Sequence, residues 1–213
     1  MFAQLVILED DDTPYLRDQV VGRPLWHIVV KDVDLCSRLA PLPAEKSKLC
    51  QPGEQMTTFD VVVDPVDGRL LKILTRWPDH VPHVLRMPPA ADAERQLAGS
   101  RGEGERYHAF PAETPAVSFF EALRTVVVDG VGNVFAAKQI VGSYVVWSKG
   151  GEDPEPVWAI TCFWCSAEGE LGVMPHLRNI VKATTPEWVV AANSPHTEAC
   201  SQERRKKLHH PMP

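Results

Sequence analysis

The residues best equipped for chemistry lie in the last third of the chain. Cys162-Phe163-Trp164-Cys165 is a C-x-x-C. At a helix N-terminus such a pair forms a thioredoxin-like redox centre, because the helix end lowers the pKa of the first thiol. Here it closes a run of strand formers, Pro156-Val157-Trp158-Ala159-Ile160-Thr161. Residues three apart on a strand point to opposite faces, so both sulfurs line one site only across a bulge. The spacing therefore predicts buried or edge thiols. A zinc site or thiol-dependent enzyme would draw on Cys162, Cys165, His176 and Cys200, but no second C-x-x-C supports it. His80 and His83 would need a helix to face together, and their segment is rich in proline. The Asp10-Asp11-Asp12 run reads as a solvated acidic turn. There is no G-x-S-x-G, P-loop or dinucleotide glycine motif, and the glycines of residues 99–104 lack the lysine a phosphate cradle needs. The residues thus name no metal, no cofactor and no catalytic set, and the chain reads as a protein without catalysis.

Composition narrows the partners. The chain has 213 residues, 44% hydrophobic and 23% charged, with a formal net charge of −6. An acidic chain without a basic face is a poor ligand for nucleic acid, and Arg204-Arg205-Lys206-Lys207 reads as a solvated tail. No apolar stretch is long enough to span a membrane, and the first residues lack the basic flank of a signal peptide. Six tryptophans are spread over both halves. Most belong in the core, and those left on a sheet face would anchor a partner. The candidates are Trp26, Trp147, Trp158, Tyr144 and Trp188.

Those aromatics need elements to hold them, and the elements come in pairs. Pro24-Leu25-Trp26-His27-Ile28 is echoed by Pro156-Val157-Trp158-Ala159-Ile160. Proline before a strand lacks the N–H that an interior ladder position needs, and Trp with β-branched neighbours suits a pleated surface. Each copy is followed by a hairpin pattern. In the first, Asp67-Gly68 supplies the turn; in the second, Thr184-Thr185-Pro186 stands in its place without glycine. Between the first two strands lies a proline-rich loop, residues 34–57. Cys36 and Cys50 lie in it, and a disulfide closing it would contribute about 3 kcal/mol in the chain-entropy model. Free thiols in a reducing compartment are the alternative. Ser118-Phe119-Phe120-Glu121 is a capping box, predicting a helix that ends by Asp129-Gly130 with Phe120, Leu123 and Val127 on one face. Strands are expected at residues 134–141 and 143–148 around a bend at Gly142, and a short helix at residues 90–98.

The helix, strands and hairpin from residue 114 resemble the PepSY domain, in which one helix packs on an antiparallel sheet. In that family a Trp- or Tyr-bearing strand precedes a "Val-Asp-x-x-Thr-Gly-Glu" hairpin. Val63-Asp64-Pro65-Val66-Asp67-Gly68-Arg69 matches it. In the second half Lys182 replaces the aspartate and Pro186 the glycine, and the first half starts at its strand without a leading helix. The resemblance implies a non-catalytic binding or inhibitory module, often exported and acting near peptidases.

The expected architecture is α+β. It has two related antiparallel-sheet modules, residues 1–100 and 112–197, each with at most one packed helix, the two packed against each other. A tail follows at residues 198–213. The expected function is protein or peptide binding, with a second copy as another partner in a homo-oligomer. A third reading is an immunity-type or structural protein capping a basic partner. The compartment is exported or periplasmic if the resemblance holds, and cytoplasmic otherwise.

Overall fold

The computed structural model of the chain describes residues 1–7, 22–50, 53, 56–76, 104–130, 134–137, 139–163 and 176–193. The features expected at Trp77, His80, His83, Trp164, Cys165, Cys200, residues 10–12, residues 90–98 and the tail lie outside them.

The described chain is mostly β. Nine strands form one antiparallel sheet: β1 (Phe2–Ile7), β2 (Pro24–Asp34), β3 (Met56–Val63), β4 (Leu70–Arg76), β5 (Glu105–Ala109), β6 (Gln139–Lys149), β7 (Glu155–Phe163), β8 (His176–Lys182) and β9 (Trp188–Asn193). The spatial order is β1-β2-β3-β4-β6-β7-β8-β9. β6 is long enough to hold two neighbours along one side, with Val141 to Ser143 against β4 and Val146 to Lys149 against β5. The halves therefore do not pack face to face as expected. They join edge to edge, with Ile73 opposite Gly142, in a single sheet.

Both halves run through the same register. Leu5, Trp26, Val63 and Leu70 form one cross-strand row, and Tyr144, Trp158, Val181 and Trp188 form another. Each hairpin carries a bulge at the same place. Val62 faces Lys72 and Val63 faces Leu70, skipping Leu71; Ile180 faces Val190 and Val181 faces Trp188, skipping Val189. Each turn carries the same backbone bond at 2.9 Å, Asp64 N–H to Arg69 C=O and Lys182 N–H to Glu187 C=O.

Strand alternation gives the sheet two apolar faces. One carries Phe59, Ile73, Ile140, Tyr144, Trp158, Ile160, Cys162 and Val181, and is covered by α3 (Phe119–Val128) and α1 (Leu35–Leu39). The other carries Leu25, Val62, Leu74, Val145, Trp147, Val157 and Ile180, with Phe110 packed on it. α3 starts where its sequence says. The Ser118 hydroxyl accepts from Glu121 N–H, and the Glu121 carboxylate accepts from Ser118 N–H at 2.8 Å. Its buried face is wider than the expected stripe and includes Phe119, Ala122 and Val126. Gly142 does not break a strand. A Cβ there would lie 2.4 Å from Phe119 Cε2, so the glycine lets the helix ring reach the sheet.

The described part of the loop after β2 is regular in two places. It holds α1 and a single-turn α2 (Ala44–Ser47). Asp34 caps α1, accepting from Cys36 and Ser37 N–H, and also accepts from Gly53 N–H at 3.0 Å across the loop. Cys36 and Cys50 are joined by a disulfide, with Cα atoms 5.4 Å apart, and both are buried beside Leu35 and Leu39.

Candidate functional site

The five aromatic candidates separate by burial. Trp147, Trp158 and Tyr144 are buried and offer nothing to a partner. Trp158 packs against Phe119 and Tyr144, with centroids 5.6 and 5.5 Å away, and its Nε1–H donates to Val117 C=O at 2.8 Å. These three are core residues, because the face that carries Trp158 and Tyr144 lies under α3 while Trp147 sits in the core of the other face. Trp188 is half-buried and donates to Asn179 Oδ1 at 3.0 Å. Trp26 alone among them is exposed, at 41%.

Trp26 has company that the sequence reading did not single out. Leu5 beside it is 56% exposed, and Ile7, two residues along β1, is 65% exposed. With Ala3 they occupy one face of β1 and β2, the face α3 covers further along the sheet. β1 is an edge strand, and its sequence Phe-Ala-Gln-Leu-Val-Ile has no charge on either face. Natural edge strands are usually blunted by lysine, proline or a bulge, so an uncharged apolar edge marks an interaction surface. That absence of charge was the legible signal.

The adjoining turn is held rigid. Asp64, almost fully buried, accepts from Val66 N–H at 2.9 Å and lies 3.5 Å from both Arg23 and Arg69. The Asp64 carboxylate thus closes the turn and lies within ion-pair distance of two guanidinium groups. In the second hairpin Lys182 and Glu187 pair at 3.0 Å. They occupy the positions of Asp64 and Arg69, so the bridge across the turn persists with its signs exchanged. Glu187 holds the Lys182 ammonium above its ordinary pKa, first by hydrogen bonding and then by its charge.

The other face of β1 and β2 carries a polar chain. His27 Nε2 lies 2.6 Å from Asp60 Oδ1, and Gln4 Nε2 lies 3.4 Å from His27 Nδ1. His27 is half-buried. These contacts tie β1, β2 and β3 together through the imidazole. Further along that face Arg178 pairs with Glu105 in the interior, and its guanidinium lies 5.5 Å from the Tyr107 ring centroid. Both side chains are buried, so the pair belongs to the core.

Of the thiol candidates, Cys162 is described. It is buried under α3, and burial pushes its pKa up to about 12. A thiol held protonated in an apolar core is a poor nucleophile at neutral pH. The backbone of His176 pairs with Phe163, one step along from the Cys162–Leu177 pair. Among the described residues no three His, Cys, Asp or Glu gather about a point. No described helix is long and apolar enough to cross a membrane.

No protein-family model matches this chain, nor does any curated protein or solved structure.

Proposed function

We propose that this chain is a non-catalytic binding module for a protein or peptide, built from two related PepSY-like units that share one sheet. Its site is the open apolar patch of Ala3, Leu5, Ile7 and Trp26. One observation carries the reading: the Leu5–Trp26 pair is exposed, at 56% and 41%, whereas the matching Tyr144–Trp158 pair is buried beneath α3. Apolar side chains held open on a rigid sheet are available to a partner, and tryptophan is among the residues that contribute most at protein interfaces.

Duplication is supported by the common bulge position, by the equal hairpin registers and by the turn bridge with exchanged signs. The Cys36–Cys50 bridge favours an oxidising compartment, in keeping with an exported protein. The buried, protonated Cys162 weighs against a thiol enzyme.

The test is a peptide-display selection on the immobilised full chain, run in parallel on a Leu5→Gln, Trp26→Ser variant. Sequences enriched on the native chain and lost on the variant are expected. No enrichment, enrichment indifferent to the variant, or substrate turnover abolished by a single substitution would each overturn the proposal.

A further inference from the structure

We infer that the patch is the seat of one amphipathic helix from a partner polypeptide, docked on β1–β3 as α3 docks on the second half. This rests on the binding reading above and names the partner's form.

The covered half supplies the template. Phe119, the first residue of α3, presses its ring into the space left by Gly142 and against Trp158. Trp158 Nε1–H reaches the carbonyl of Val117, just ahead of the N-cap Ser118. Register then gives each residue of this seat a counterpart in the first half. Ala3 pairs with Ile28 as Gly142 pairs with Ile160, and Leu5 pairs with Trp26 as Tyr144 pairs with Trp158. The floor of the open seat is therefore small at Ala3 and indole-bearing at Trp26; because Ala3 carries the Cβ that Gly142 lacks, a docked helix would stand about 1 Å further from β1 than α3 stands from β6.

Two physical arguments favour a helix over an extended strand. Trp26 lies one strand in from the edge. Strands are about 4.8 Å apart, whereas a helix with its side chains is about 10 Å across. A helix laid on the face covers Leu5, Ile7 and Trp26 together. A peptide added to the edge of β1 lies beside them and leaves Trp26 open. The seat is also continuous with the interface beneath α3. Val30 on β2 and Val61 on β3, on the same face as Trp26, already pack against that core. A docked helix would extend an existing apolar layer. Its stripe would resemble Phe119, Leu123 and Val126 at spacings of four and three, with a carbonyl ahead of its first turn for Trp26 Nε1–H.

The experiment titrates the isotope-labelled full chain with two probes. One is a capped synthetic peptide of residues 115–130, which carries the α3 sequence; the other is an alternating Val-Thr peptide of extended form. Resonances of the Trp26 indole and of the residue 2–7 amides report on the seat, and a third arm replaces Ala3→Trp to fill it while leaving the β1 edge backbone free. The helical probe is expected to shift the Trp26 indole with a dissociation constant below about 1 mM, and Ala3→Trp to weaken it about tenfold or more. Shifts by the extended probe alone, indifferent to Ala3→Trp, would overturn the helix and leave the binding reading standing. Shifts that follow chain concentration without peptide would overturn it in favour of a second copy. Shifts at Trp158 in place of Trp26 would show exchange with α3 and also overturn it. No response to either probe would overturn both readings.

Discussion

Substituting Gly142→Ala tests the packing logic on which the seat depends. Gly142 is not in the left-handed region, so alanine adopts its backbone without strain. The added methyl would meet Phe119 Cε2 at 2.4 Å and Cδ2 at 2.8 Å. Carbon atoms rest about 3.5–4.0 Å apart, so the ring must recede by about 1 Å. It has little room to do so. Phe119 is buried between Phe59, Phe120 and Trp158, with centroids 6.2, 5.7 and 5.6 Å away, and the capping box fixes the start of its helix. Overpacking of this kind costs about 1–3 kcal/mol. Replacing glycine by alanine returns about 0.5–1 kcal/mol through the unfolded chain. The net expectation is a loss of about 1–2 kcal/mol, read as a fall in Tm of about 3–6 °C for a chain of this size.

Urea unfolding followed by circular dichroism measures it, with the slope unchanged if only the folded packing is perturbed. The decisive arm is a double-mutant cycle with Phe119→Leu, which removes the clashing ring atoms. In that background Gly142→Ala should cost nothing or stabilise, giving a coupling of about 1–2 kcal/mol. At the matching position of the open half, Ala3→Val should change stability by less than about 0.5 kcal/mol. A Gly142→Ala protein as stable as the parent, or an equal cost in both backgrounds, would refute the argument that glycine is there to admit the helix.

Three further outcomes are expected. Replacing Cys36 and Cys50 by serine opens a loop of about 15 residues and should lower stability by about 3 kcal/mol, and Tm by about 6–12 °C; an unchanged melt in the double variant would contradict it. The Asp34 carboxylate is held below its usual pKa by the Ser37 hydroxyl first and then by backbone donors, and Glu121 likewise by Ser118. A depressed folded pKa means their contribution is complete above the ordinary values of 3.8 and 4.5 and is lost as pH falls through the lowered ones. Ser37→Ala with Ser118→Ala should therefore make the acid limb of a stability profile shallower, and an unaltered limb would rule out that origin. In a Cys165→Ser, Cys200→Ser background, Cys162 should react with maleimide only as fast as the protein unfolds globally; rapid labelling of the native chain would show that the thiol is accessible.

The paired segments, the hairpin at Asp67-Gly68, the capping box and the run of Trp-bearing strands were legible in the sequence. Each is a local property: a turn dipeptide, an N-cap pair, an alternation of apolar residues. The Pro-x-Trp repeat even aligned Trp26 with Trp158, and the strand registers agree with that alignment. The β5 strand was not legible, because its five residues sit beside a glycine-rich break and owe their form to pairing with β6. Nor was Gly142. In one dimension a glycine inside a strand reads as a bend, and only the approach of Phe119 across sequence reveals it as a gap kept for a ring.

The site divides in the same way. Sequence alone determined which side chains are large, aromatic and set on strands, because strand period and residue type fix that locally. It could not rank Trp26 above Trp158, since the two lie in nearly identical local patterns. Tertiary structure decided that, by laying α3 over Trp158 and leaving Trp26 exposed. Burial is a relation between segments distant in the chain, whereas propensity belongs to neighbours, so the buried tryptophan and the exposed one differ only once the sheet is assembled.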